Sequence, residues 1–147
     1  MRPREIVLDA ASSMKVVEAV QIAAEVYAVE EGLDADGAHF LSVALREALV
    51  NAIKHAHGGD PSRRILIRFR TEQQRNLIFM VQDEGAGFDA SGIPDPLHPE
   101  NLHKGSGRGV FYMRQFANEV IFEFPKGGGT VVCLKKTLSG GEQIAGG

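Results

Sequence analysis

Three short groups of residues have types and spacings that could do chemistry. In LSVALREALVNAIKHA at 41–56, Glu47, Asn51 and His55 stand at i, i+4 and i+8. On an α-helix that spacing stacks them along one face. The same segment carries an apolar stripe of Leu41, Leu45, Ala48, Ala52 and Ala56, and Val43, Val50 and Ile53 add apolar groups on other sides. Such a helix is largely enclosed, so three polar groups in line on it need hydrogen-bond partners. Two arrangements would supply them: a polar internal network, or a cavity that holds a charged ligand.

The second group is Asp83-Glu84-Gly85-Ala86-Gly87, directly after the apolar run LIFMV at 77–81. An acidic residue at a strand end, followed by alternating glycines, lets backbone approach a flat ligand closely. A carboxylate there can accept a hydrogen bond from the exocyclic amine of adenine. A bare D-x-G-x-G is also an ordinary turn signal. The third group is Gly105-x-Gly107-x-Gly109, at the start of a helical segment. Backbone N–H groups at a helix N-terminus favour phosphate, and glycine lets phosphate oxygens come close; alone, the pattern also suits a flexible loop. It is not the dinucleotide fingerprint, because it comes after a long loop rather than a strand. Nor is it a P-loop, because no Gly-Lys-Ser/Thr comes next.

The elements that must position these groups are legible in outline. Residues 5–8 read as a short strand. Ser12 or Ser13 can cap a helix bearing Val16, Val20, Ala23 and Tyr27 at helical spacing, which Gly32 ends. Asp34 or Asp36 can cap a second helix that runs to about His57, where HGGDP breaks it. Ile65, Ile67 and Phe69 alternate with Arg64, Arg68 and Arg70, a strand with one polar face, while 77–81 is apolar on both parities and reads as a central strand. The tip TEQQRN between them is polar. Residues 90–104 show no period and contain Pro94, Pro96 and Pro99, a long loop of the kind that is functional or mobile. A third helix continues through about Ala117, then a hairpin of 119–124 and 129–136 around PKGG. The order β, α, α, β, β, loop, α, β, β, with consecutive hairpins, argues for an α+β, two-layer sandwich: a mixed, mostly antiparallel sheet with helices on one face. The expected domain spans 1–138, with a disordered tail over 139–147.

Composition narrows the function classes. A chain of 147 residues suits one domain, and 44% apolar residues supply a core. A net charge of −3 and the lack of a basic run argue against nucleic acid as partner. Cys133 is the single cysteine, which precludes an internal disulfide; inside an apolar stretch it reads as a buried, inert thiol. No apolar run reaches the length of a membrane span, and MRPREIVLDA lacks the apolar core of a signal peptide. A soluble, cytoplasmic protein is expected, with no membrane partner.

Together, E-x-x-x-N, D-x-G-x-G and G-x-G-x-G in that order resemble the GHKL (Bergerat-fold) ATPase superfamily over about residues 5–136. REALVNAIKHA looks like its N box, VQDEGAGFD its first glycine box, GSGRGVFYMRQF its second, and GGGT at 127–130 its later threonine element. The compact size and the Glu-x-x-x-Asn-Ala-x-x-His-Ala order at 47–56 are most similar to anti-sigma factor serine/threonine kinases of the RsbW and SpoIIAB type. The resemblance implies ATP and Mg2+ as cofactors. It implies Glu47 as general base or orienter of the attacking hydroxyl, Asn51 as Mg2+ ligand, and Asp83 as reader of adenine with Thr130 in support. Gly85 and Gly87 would pass beneath the base. Gly105, Gly107 and Gly109, with Val110 next in the chain, would meet the phosphates as residues 88–104 close over them. Lys54 and Arg108 are further candidates for phosphate charge, though Lys54 equally reads as a solvated lysine. His55 reads as a core-edge histidine bonded to backbone. The implied partners are a small anti-anti-sigma (STAS-type) protein, a sigma factor and a second copy of the chain. The competing functions are a nucleotide-dependent binding module without kinase activity and an ATPase or kinase fragment of another signalling pathway.

Overall fold

A computed structural model describes residues 4–84 and 107–138, with the side chains of 107–110 and 112 excepted. Gly85, Gly87, Gly105, the loop expected at 88–104 and the tail after 138 lie outside the described residues. The elements keep the expected order: β1 (Arg4–Ala11), α1 (Val17–Glu30), α2 (Ala35–Asn51), β2 (Arg64–Glu72), β3 (Asn76–Asp83), α3 (Gly107–Phe116), β4 (Glu119–Glu123) and β5 (Val131–Thr137). A short 3-10 turn, Met14–Val16, precedes α1, and a π-helical turn, Ala52–Ala56, extends α2. The strands form one sheet in the order β1-β2-β3-β5-β4, and every neighbouring pair is antiparallel.

The alternation in β2 decides which face of the sheet is covered. Ile65, Ile67 and Phe69 are wholly buried beneath the helices. Arg64, Arg68 and Arg70 point the other way and form ion pairs with Asp9, Glu5 and Glu72. β3 is the central strand, and Phe79 pairs in register with Phe69, their ring centroids 4.9 Å apart. Tyr27 of α1 lies against both rings, at 5.6 and 6.2 Å. Its hydroxyl donates to the Arg4 carbonyl at 3.1 Å, so it accepts from Thr71 Oγ1 at 2.8 Å. The core continues through Val17, Ala24, Leu41, Leu45, Leu49 and Met113, which places all three helices on the same side of the sheet.

Local signals explain most boundaries. Asp34 Oδ1 accepts from the Gly37 N–H at 2.7 Å and caps α2. Ser13 caps the 3-10 turn rather than α1 itself, its Oγ accepting from the Lys15 N–H at 3.2 Å. The polar tip between β2 and β3 is a tight three-residue loop, Gln73 to Arg75: Gln73 and Gln74 have φ of 56° and 58°, and the Arg75 N–H donates to the Glu72 carbonyl at 3.1 Å. Those dihedrals match a type I′ hairpin turn, which is usually made by Asn-Gly. Cys133 sits half-buried on β5, and burial, with Glu123 nearby, pushes its thiol pKa up. That agrees with an inert thiol.

Candidate functional site

The site is best built outward from Asp83, the last residue of β3, only 7% exposed. Its N–H donates to the Thr130 carbonyl at 3.0 Å, and the Thr130 N–H donates to Asp83 Oδ1 at 3.0 Å. The carboxylate is therefore aimed by the main chain of the segment entering β5. Gly129, just before, has φ of +85°, and a Cβ built there would overlap the Asp83 carbonyl oxygen and lie 3.5 Å from Asp83 Oδ1. Only glycine lets the two chains approach so closely in that conformation. Asp83 and Thr130, far apart in sequence, are thus brought into direct contact.

Glu47 and Asn51 lie one turn apart on α2, both half-buried. Neither side chain has a hydrogen-bond or ion-pair partner among the described residues. Of the two arrangements open to these polar groups, an internal network is not what the described residues form. α2 packs on β3, β5 and α3, so the same helix borders the end of the central strand and the segment bearing Gly107 and Gly109. The backbone of Gly107, Arg108, Gly109 and Val110 forms the first turn of α3.

Directly after Asn51 the helix widens. The His57 N–H reaches the carbonyl of Ala52, five residues back, at 2.9 Å. A turn that takes in one extra residue rotates the downstream residues by about 100° relative to α-helical register. His55 is therefore exposed rather than in line with Glu47 and Asn51, and the expectation that it bonds backbone at the core edge is corrected. Lys54 is exposed too, as a solvated lysine would be. The histidine that does enter the interior is His57, 7% exposed. Its Nδ1 lies 2.7 Å from Ser12 Oγ, and its Nε2 accepts from the Glu84 N–H at 2.8 Å. π-turns of this kind recur at functional sites.

Sequence reasoning missed His57 and Ser12 as parts of this region, and it gave Glu84 and Gly129 no role of their own. His57 stands at the head of HGGDP, which marks only where a helix stops. Ser12 reads as a helix cap but is 1% exposed and bonded to His57. A buried serine and a capping serine look alike in sequence. Gly129 had one available signal, its place within GGGT.

A helix-covered antiparallel sheet, with Glu-x-x-x-Asn on a helix beside a central strand that ends in aspartate, defines a class of nucleotide-binding fold. The chain belongs to the histidine kinase-like ATPase domain family, which it matches over residues 10–136. Among its relatives, the serine-protein kinase RsbW of Bacillus subtilis (strain 168) is 31% identical over 106 residues, covering 68% of this chain and 64% of that protein. The anti-sigma F factor of Geobacillus kaustophilus is 32% identical over 102 residues, covering 67% of this chain and 68% of that protein. The fold is shared with the RsbU and RsbW domains of a Mycobacterium tuberculosis protein, at a TM-score of 0.67 and 17% identity over 92% of this chain and 32% of that one. The chain is therefore an ATPase-fold domain similar to anti-sigma kinases. No helix of the described residues is long and apolar enough to cross a membrane.

Proposed function

We propose that this chain is an ATP-dependent serine/threonine protein kinase of the anti-sigma-factor type. It phosphorylates a small anti-anti-sigma (STAS-type) partner, sequesters a sigma factor, and acts as a homodimer in the bacterial cytoplasm. The observation that carries the reading is the pair Glu47 and Asn51: half-buried, one turn apart, and without partners among the described residues. Neither is sealed in the core, so both polar ends are open to a ligand.

In this reading the Asp83 carboxylate, held by the Thr130 N–H, accepts from the exocyclic amine of adenine. Gly85 and Gly87 run beneath the base. The N–H groups around Gly105, Gly107 and Gly109, with Val110 continuing the turn, receive the phosphates, and Arg108 adds charge. Lys54, being exposed, is the weakest of these candidates. Mg2+ neutralises phosphate charge, and it characteristically keeps waters and phosphate oxygens while taking few protein ligands. The half-buried Asn51 amide oxygen fits that donor set. The partner's hydroxyl oxygen bonds to the γ-phosphorus, the bond from that phosphorus to ADP breaks, and the hydroxyl proton passes to Glu47.

The test needs wild type and Glu47→Gln, with the partner captured from native lysate with and without Mg-ATP and its phosphosite mapped by mass spectrometry. ATP affinity should stay near wild type in Glu47→Gln, because an anion contributes nothing to triphosphate binding. Phosphoryl transfer should fall by roughly 10²–10⁴-fold, the range for a lost general base. A wild-type rate in the variant removes Glu47 from catalysis. If wild type transfers nothing to any partner it binds, the chain is a nucleotide-dependent binding module instead.

A further inference from the structure

The buried histidine lies outside the groups assigned above, yet it holds the backbone that leaves Asp83. A main-chain N–H can only donate, so the Glu84 N–H at 2.8 Å makes His57 Nε2 an acceptor. The ring proton then resides on Nδ1 and is donated to Ser12 Oγ at 2.7 Å. Ser12 is itself fixed, its N–H donating to the Arg63 carbonyl at 2.9 Å. Glu84 is gripped at three points: its N–H by His57, its carbonyl by Arg63 Nη1 at 3.3 Å, and its carboxylate by the Arg64 N–H at 3.1 Å. His57 is the only one of these holders that the π-turn after Asn51 carries, so it couples the Asn51 end of α2 to the Asp83 end of β3.

We propose that His57 is a positioning residue for the nucleotide site, an imidazole latch between Ser12 and the Glu84 N–H that fixes the chain next to Asp83, so that loss of its acceptor nitrogen weakens ATP binding. The inference rests on the nucleotide-binding reading above. Without the Nε2 acceptor, the part-buried bond from the Glu84 N–H is left unmade. The charged groups on the surrounding elements are Asp83 and Glu84 at the end of β3, Arg63 before β2, Asp60 in the turn after the imidazole, and exposed Lys54 and His55 on its own turn. Asp60 is already bonded to Ser62. None of these groups can accept from the Glu84 N–H in place of Nε2 without moving the chain.

His57→Gln and His57→Phe separate the latch from the rest of the site. A glutamine amide carries one acceptor and one donor about as far apart as the two ring nitrogens, whereas phenylalanine keeps a flat ring and removes both. Calorimetry with Mg-ATP should show near wild-type affinity in His57→Gln and a roughly tenfold loss in His57→Phe, the effect of a donor losing its acceptor. Two readouts need no nucleotide. Imidazole 15N shifts should show the ring proton on Nδ1, and exchange of the Glu84 amide should accelerate in His57→Phe but not in His57→Gln. Wild-type affinity in His57→Phe, equal losses in both variants, or a ring proton on Nε2 overturns the latch. If wild type does not bind ATP, the nucleotide reading fails, and the Glu84 exchange and ring shifts alone decide the latch. The ring shifts decide it if neither variant folds.

Discussion

Gly129→Ala tests how tightly the end of β3 is held, and Gly59→Ala is its internal control. The two glycines have nearly equal φ, +85° and +79°. An L-residue forced into that region costs about 1–2 kcal/mol. A Cβ at Gly59 meets nothing within 4 Å, so this strain is all that Gly59→Ala should show. A Cβ at Gly129 overlaps the Asp83 carbonyl oxygen, a backbone atom at the end of the central strand. It cannot move aside as a flexible side chain would, so overpacking of roughly 1–3 kcal/mol adds to the strain. The expected losses are therefore about 1–2 kcal/mol for Gly59→Ala and about 2–5 kcal/mol for Gly129→Ala. The second value still leaves a typical domain folded. Urea unfolding with equal slopes would read both as midpoint shifts. Because the overlap parts Gly129 from Asp83, it also disturbs the 3.0 Å bond from the Thr130 N–H that aims the carboxylate. Mg-ATP affinity should then fall roughly tenfold in Gly129→Ala, as for one lost charge-assisted hydrogen bond, and stay unchanged in Gly59→Ala. Equal destabilisation by the two substitutions, with ATP affinity intact in both, would refute the close approach at Asp83.

If the Asp83 carboxylate reads adenine, ATP should bind more tightly than GTP by several kcal/mol, since guanine presents an acceptor oxygen where adenine has its amine; equal affinities by calorimetry would exclude that role. Replacing Gln73-Gln74 by Asn-Gly should raise stability by about 1 kcal/mol without touching nucleotide affinity, because φ of 56° and 58° suits those residues; an unchanged urea midpoint would contradict the turn. Tyr27→Phe should cost about 1–2 kcal/mol, leaving Thr71 Oγ1 and the Arg4 carbonyl short of a partner. Burial above all raises the Tyr27 pKa over its ordinary 10.0. The unfolded chain therefore loses this proton first as pH climbs. The stability linked to Tyr27 is present below about pH 10 and declines above it. An alkaline unfolding profile should flatten in Tyr27→Phe, and identical profiles would remove Tyr27 from that transition.

Periodicity, with caps and breakers, located the elements of this protein. The alternation of Ile65, Ile67 and Phe69 with three arginines is a two-residue period that only a half-covered strand satisfies. The stripe on 41–56 is likewise a helical period, and Asp34 announces its own cap. The spacings E-x-x-x-N and D-x-G-x-G were legible for the same reason: each lies within one element or one turn, where local geometry fixes how far apart side chains stand. The meeting of Asp83 with Thr130 was implied only by family resemblance and its close approach to Gly129 by nothing in the spacing, because both depend on β5, rather than β4, lying beside β3. The exchange of roles between His55 and His57 was not legible. Helical spacing alone points to His55, whereas the structure turns His57 inward after a π-turn, bonded to Ser12 and to Glu84, 27 residues onward. Hydrogen bonds between remote segments leave no period in the chain.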